Sequence, residues 1–274
     1  MTSYKILITG ARSKTAESLT RFIRFETLHD LVLLSRNSDK LDDDSEIRKY
    51  TVDLTDIKLL KKICYSEKPD FIINTSSFNN VGLAEKQKKK TWDVNVVAVE
   101  NLINVSRVLD CMLIHLSCFH IFNGHNSPYT ENGIPDPLNY LGKSKHAAEN
   151  TCLARHHKSV IVRTGPVYGY SSYGMHGFAA DALKEFESGN KVNVSRDYQI
   201  SPSFTDDIAR VILKIIDKKR IGIFNASGPD ILSHKTIYEI IAKTFNFNAG
   251  QIEELPHEKV FPYPFVKKGG LVSF

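Results

Sequence analysis

The chain has 274 residues, 42% of them hydrophobic and 24% charged, with a formal net charge of +5 at pH 7. That is enough apolar content for one large domain, or a large domain with a smaller lobe, and too much for a disordered chain. Apolar runs such as "VILKII" at 211–216 stop far short of the roughly 18 residues a membrane span needs, and "MTSYKILITG" lacks the form of a signal peptide, so a cytoplasmic protein without a membrane partner is expected.

The basic run "KQKKK" at 86–90 reads as a solvated helix face rather than a nucleic-acid patch, although a mild positive balance also suits an anionic nucleotide. Cys64, Cys111, Cys118 and Cys152 show no C-x-x-C or His-rich spacing, so neither a metal site nor a disulfide framework is expected.

In chain order, short apolar strands are predicted at 5–9, 31–34, 49–52, 71–74, 112–117, 160–163 and 222–226. Between them, apolar residues at spacings of three and four predict helices over 13–25, 55–64, 92–109, 144–154, 179–186, 205–216 and 234–245. Strands that are apolar throughout, alternating with helices, imply a doubly wound α/β fold with a parallel, Rossmann-type sheet covered on both faces. After about Pro166 the alternation loosens. A nucleotide-binding domain is expected over 1–166 and a small C-terminal substrate lobe over 167–274, with returns to the sheet at about 200–226.

Ligands of such sheets bind at the carboxyl ends of the strands. There "ILITGARSKTAES" lays out a strand, a glycine turn and a helix start, which aims free N–H groups at a pyrophosphate. In the Gly-x-x-Gly-x-x-Gly form of this loop the three positions are Gly10, Ser13 and Ala16, so one glycine of three is kept. Arg12 in the loop and Arg36 after the second strand, where an acidic residue would suit ribose hydroxyls, favour the 2′-phosphate of NADP(H). Two solvated surface arginines are the bland alternative. Asp53 and Leu54 after the third strand are adenine contacts or, for Asp53, a helix cap.

With these residues in view, the chain resembles the extended short-chain dehydrogenase/reductases, and within them the dTDP-4-dehydrorhamnose reductases. The likeness runs nearly end to end. Its most specific stretch is "HLSCFHIFNGHNSPYTENGIPDPLNYLGKSKHAAE" at 115–149, supported by "PDFIINTSS" at 69–77, "VNVVAVENL" at 94–102, "VIVRTGPVYG" at 160–169 and "DYQISPSFTDDIA" at 197–209. By that resemblance the cofactor lies over Gly10 to Ala16, Arg36, Asp53, Leu54 and the backbone of Thr75, Ser76 and Ser77. Asn95 helps order the site, Lys145 bridges the nicotinamide ribose and the backbone near Val167 holds the carboxamide. The substrate implied is a 4-keto-6-deoxy nucleotide sugar.

The pattern breaks at the proton donor. The family's chemistry uses a phenol on the helix and a Ser or Thr hydroxyl on the strand before it, but Leu141 stands at the tyrosine place and Cys118 at the hydroxyl place. Tyr140 is one position early, turned by about 100° on a helix. Proton donors to consider are therefore Tyr140, His120 and Cys118. Three functions stay open. They are an NADPH-dependent reductase, a non-catalytic NADP(H)-binding regulatory protein similar in idea to the regulatory subunit of methionine adenosyltransferase, and a nucleotide-sugar epimerase. A homodimer or a regulatory partner protein is open as well.

Overall fold

A computed structural model describes residues 3–41, 46–174, 176–265 and 267–272. The elements follow in chain order as β1 (Lys5–Thr9), α1 (Lys14–Glu26), β2 (Asp30–Ser35), β3 (Arg48–Thr51), α2 (Ile57–Glu67), β4 (Phe71–Asn74), α3 (Val81–Lys86) and α4 (Lys88–Trp92). A π-turn (Asp93–Val97) leads into α5 (Ala98–Leu109), then β5 (Met112–Cys118), α6 (Tyr140–Arg155), β6 (Ser159–Thr164), β7 (Val167–Tyr168) and α7 (Phe178–Glu187). The remainder is β8 (Val192–Ser195), β9 (Gln199–Ile200), β10 (Ser203–Phe204), α8 (Thr205–Lys218), β11 (Gly222–Asn225), β12 (Leu232–Ser233), α9 (His234–Phe245), β13 (Ile252–Leu255), α10 (His257–Val260) and β14 (Lys268–Gly269).

Seven parallel strands form one sheet in the order β11-β6-β5-β4-β1-β2-β3. The order reverses between β1 and β4, which run in register from Ile6 opposite Phe71 to Thr9 opposite Asn74. Alternation along the strands feeds two cores. Ile6 and Ile8 pack with Leu19, Phe22 and Ile23 of α1 and Ile212 and Ile216 of α8. Leu7 and Leu113 pack on the other face with Leu60 of α2, Leu102 of α5 and Ala148 of α6. The doubly wound α/β fold expected from the sequence is therefore the one observed.

Residues outside the sheet build small pairings over its carboxyl end. These are β10 with β7, β13 with β8, and β9 between β12 and β14. Tyr129 bridges to Leu271. Their core is aromatic, with Phe186, Tyr198, Tyr238 and partly buried Phe261 and Phe265.

Three helix starts differ from the sequence reading. The side chain of Asn139 accepts from Gly142 N at 2.8 Å, so α6 begins at Tyr140 and not near Ser144. The Asp56 carboxylate caps α2, which begins at Ile57. The helix expected over 92–109 is interrupted by the π-turn at its amino end, which a 3.6-residue period does not register.

Candidate active site

Where β1 parts from β4, a groove of about 240 Å³ opens at the carboxyl ends of β1, β2, β3 and β4. Gly10, Arg12 and Ser13 form one wall, Arg36, Asp53 and Leu54 another, and Thr75, Ser76 and Ser77 the third. Gly10 has φ +68, and a Cβ on it would lie 2.7 Å from Ser76 N. Only glycine allows this crossing of the two strand ends.

Ser13 replaces glycine with a function of its own. Its Oγ accepts from Ala16 N at 3.1 Å and pairs with Thr75 Oγ1 at 2.7 Å, capping α1 and tying the loop to β4. Ala16 is fully buried against the sheet, where the smallest side chain keeps α1 close. The loop is thus a packed strand-to-helix turn, built with a hydroxyl cap where glycine would leave the backbone bare.

Arg36 is exposed at the groove rim, and Arg12 is half-buried with its guanidinium 5.4 Å from the Tyr173 ring centroid. The Asp53 carboxylate accepts from Thr55 N at 2.9 Å and Thr55 Oγ1 at 2.8 Å. The backbone bond from Thr55, with the charge of Arg36 adding to it, holds its carboxyl below the usual range. Asp53 is therefore a turn-forming carboxylate beside Arg36, and Asp56, not Asp53, is the helix cap.

Ser13, Thr75 and Ser77 also line a second cavity of about 1010 Å³, which runs under the aromatic lobe. Lys145, Cys118, His120 and Val167 face it. Lys145 is 3% exposed and donates from Nζ to the Leu116 carbonyl at 3.0 Å. Burial lowers its pKa, and the same burial raises that of the neighbouring Cys118 thiol. His120 sits in a short turn between Phe119 and Phe265, its Nδ1 without a hydrogen-bond partner among the described residues, and burial pushes its pKa down to about 3. It is a neutral imidazole at ordinary pH.

Asn95, on the π-turn, accepts from Phe78 N at 2.8 Å and donates to Phe78 O at 3.1 Å and Ser144 Oγ at 2.9 Å. It locks the loop after β4 to α6, the helix that carries Lys145. Deeper on α6, Glu149 receives Arg163 Nη2 at 2.7 Å in a fully buried pair that fixes the helix to the end of β6.

Tyr140 is not brought to this cavity. Its N–H donates to Glu85 Oε1 at 2.7 Å, its ring centroid lies 6.4 Å from that of Trp92, and Lys88 Nζ sits 5.5 Å from it. The Asn139 cap fixes the helix phase, so Tyr140 turns toward α3 and α4, and Leu141 takes the inward direction. Leu141 is 1% exposed and packs on Val81 and Ala84 with Phe78, Tyr263 and Phe265 around it.

On the lobe side, Tyr198 and Ile200 line the cavity, and their strand neighbour Gln199 is exposed. Ser203 bonds to Gly165 N and Ala226 O and serves the backbone. Lys14 and Tyr263 are among the cavity residues that the sequence motifs did not single out. Lys14, the first residue of α1, is 8% exposed and donates from Nζ to the His176 carbonyl. Tyr263 belongs to a distant segment that no local pattern connects to α6.

A parallel sheet ordered 3-2-1-4-5-6 with an added strand, a nucleotide-sized groove at the switch point and a cavity under a small lobe define an extended reductase-type Rossmann protein. Residues 4–264 match the family described as RmlD substrate binding domain, and the chain belongs to that family.

Among relatives, it is 29% identical over 236 residues to dTDP-4-dehydrorhamnose reductase of Aggregatibacter actinomycetemcomitans, spanning 84% of this chain and 75% of that protein. It is 27% identical over 219 residues to methionine adenosyltransferase 2 subunit beta of Xenopus laevis, spanning 78% of this chain and 66% of that one. The fold superposes with a TM-score of 0.87 on dTDP-4-dehydrorhamnose reductase of Bacillus anthracis, solved in complex with NADP, at 21% identity over 99% of this chain and 91% of that structure.

Proposed function

We propose that the protein is an NADP(H)-dependent reductase of a 4-keto-6-deoxy nucleotide sugar. The observation that carries this reading is continuity. Ser13, Thr75 and Ser77 line both the arginine-flanked groove and the cavity that holds Lys145. A dinucleotide laid along them would have its adenosine end among Arg12, Arg36 and Asp53 and its far end beside Lys145. The glycine crossing at Gly10 supports the fit, because it leaves the loop backbone at the floor of the groove. When bound, the reduced nicotinamide supplies the hydride.

The protein's own residues supply position and proton control. Arg12 and Arg36 offer guanidinium donors to a 2′-phosphate. Lys145 presents an ammonium to ribose hydroxyls and polarises groups near Cys118. His120, neutral at ordinary pH, has an N–H to offer as a hydrogen bond to a carbonyl oxygen, but no imidazolium proton to transfer. The aromatic lobe over the cavity keeps water away from the reacting carbon.

One observation favours a second reading, a regulatory NADP(H)-binding protein. Leu141, sealed in an apolar cluster, can neither donate a proton nor hold an oxyanion. The two readings separate in one experiment, combining calorimetric titration with NADPH and an absorbance assay of NADPH oxidation by a dTDP-4-keto-6-deoxyhexose. Binding with turnover supports the reductase, and binding without turnover supports the regulator. Failure to bind NADPH refutes both.

A further inference from the structure

The apolar seal over Leu141 contains a phenol. Tyr263 lies on the segment after α10, lines the same cavity as Lys145, Cys118 and His120, and packs against the cluster that buries Leu141. It is half-buried.

Its seat is made by the neighbouring helix. A Cβ built on Gly82 would lie 2.6 Å from Tyr263 Cε2 and 3.3 Å from Cζ, so any side chain at Gly82 would displace the ring. Lys86, one helical turn on, holds its ammonium 5.9 Å from the ring centroid. Of the other two cavity phenols, Tyr198 and Tyr238 are 6% and 5% exposed, and burial pushes both far above the ordinary tyrosine range. Tyr140 faces α4. Tyr263 is thus the cavity phenol that lies on the Leu141 side without being buried.

We propose that Tyr263 is the proton donor of the reduction, a phenol delivered from the lobe to the side of the cavity where helix α6 carries leucine. This rests on the reductase reading above. The keto carbon accepts hydride from the reduced nicotinamide, the carbonyl π pair moves onto oxygen, and that oxygen takes the Tyr263 hydroxyl proton. The phenolate left behind recovers a proton from water, and the substrate leaves as an alcohol. Lys86, whose ammonium lies 5.9 Å from the ring centroid, supplies positive charge beside a transient phenolate.

The test uses the full chain and two variants. Tyr263→Phe keeps the ring and its packing. It should lower kcat by about 10² to 10⁴ and leave the calorimetric Kd for NADPH unchanged. A binding readout independent of turnover is calorimetry with dTDP-L-rhamnose and with dTDP alone. Losing one hydrogen bond to the sugar should weaken dTDP-L-rhamnose by roughly fivefold and leave dTDP unaffected.

The exchange variant Leu141→Tyr/Tyr263→Leu conserves the combined volume and returns the phenol to the helix. It should recover at least about tenfold in kcat over Tyr263→Phe. If the unaltered protein turns over and Tyr263→Phe keeps kcat within about threefold, the assignment is overturned and the reductase reading stands. If the unaltered protein binds NADPH without turnover, the reductase reading falls and the assignment falls with it.

Discussion

Removing the guanidinium groups at the nucleotide groove, by Arg12→Ala and Arg36→Ala singly and together, separates NADPH from NADH. A hydrogen bond to a charged group is worth about 1.5–3 kcal/mol when shielded and about 1 kcal/mol at an exposed rim. Arg36 is exposed, so its loss should cost about 1 kcal/mol, or roughly fivefold in the NADPH Kd. Arg12 is half-buried, with Tyr173 5.4 Å from its guanidinium, and should cost about 2 kcal/mol, or roughly 30-fold. If the two act independently, the double variant loses about 150-fold. NADH, which lacks the phosphate, should lose little in any variant. Calorimetry with both dinucleotides measures the ratio, and raising the salt should weaken NADPH more than NADH in the unaltered protein. Equal losses for the two dinucleotides would refute the assignment of the arginines to the 2′-phosphate.

Two predictions concern the frame around the site. Glu149→Gln leaves the Arg163 guanidinium buried opposite a neutral amide and should cost about 3–5 kcal/mol, seen as a fall of roughly 10 °C in melting temperature, whereas Glu149→Met/Arg163→Leu should cost less because no charge is stranded. His120 and His234 titrate near pH 3 and 4 when folded, below the ordinary 6.5, because burial disfavours their charged forms. Their stabilisation is complete above pH 6.5 and is lost as the pH falls below it, since the unfolded chain takes up protons first. Each ring should therefore remove about 2 kcal/mol between pH 7 and pH 5, and a urea midpoint that stays constant over that interval would contradict the burial of both.

The central sheet strands were legible because they are short runs of apolar residues buried on both faces, such as Phe71 to Asn74, whereas β3 and β11 at the two edges are only partly buried. The groove was equally legible, since Gly10, Arg12, Arg36 and Asp53 stand directly after those strands and a parallel sheet gathers its strand ends. What escaped depends on phase and on distance. Asn139 in "PLNY" carried a cap signal that would have started α6 at Tyr140 and turned Tyr140 away from the cavity. Two-residue strands such as β9 and β14 have no period to detect. Tyr263 meets Leu141 across more than a hundred residues, and only the absence of a side chain at Gly82 records that meeting.

The pairing of β9 with β14, and of Tyr129 with Leu271, has a consequence for how the molecule comes into being. A ribosome releases the glycine loop early, but β11, the outer strand beside β6, follows some two hundred residues later, and the segment that walls the cavity comes after that. Contacts so distant in sequence form slowly. A nascent chain whose earlier strands pair before β11 arrives would carry the strand-end groove open to solvent, with an apolar sheet edge exposed beside β6, before the cavity is walled. A nucleotide able to occupy that groove early would act on the folding of the whole, as a scaffold bound before the chamber it serves has been closed.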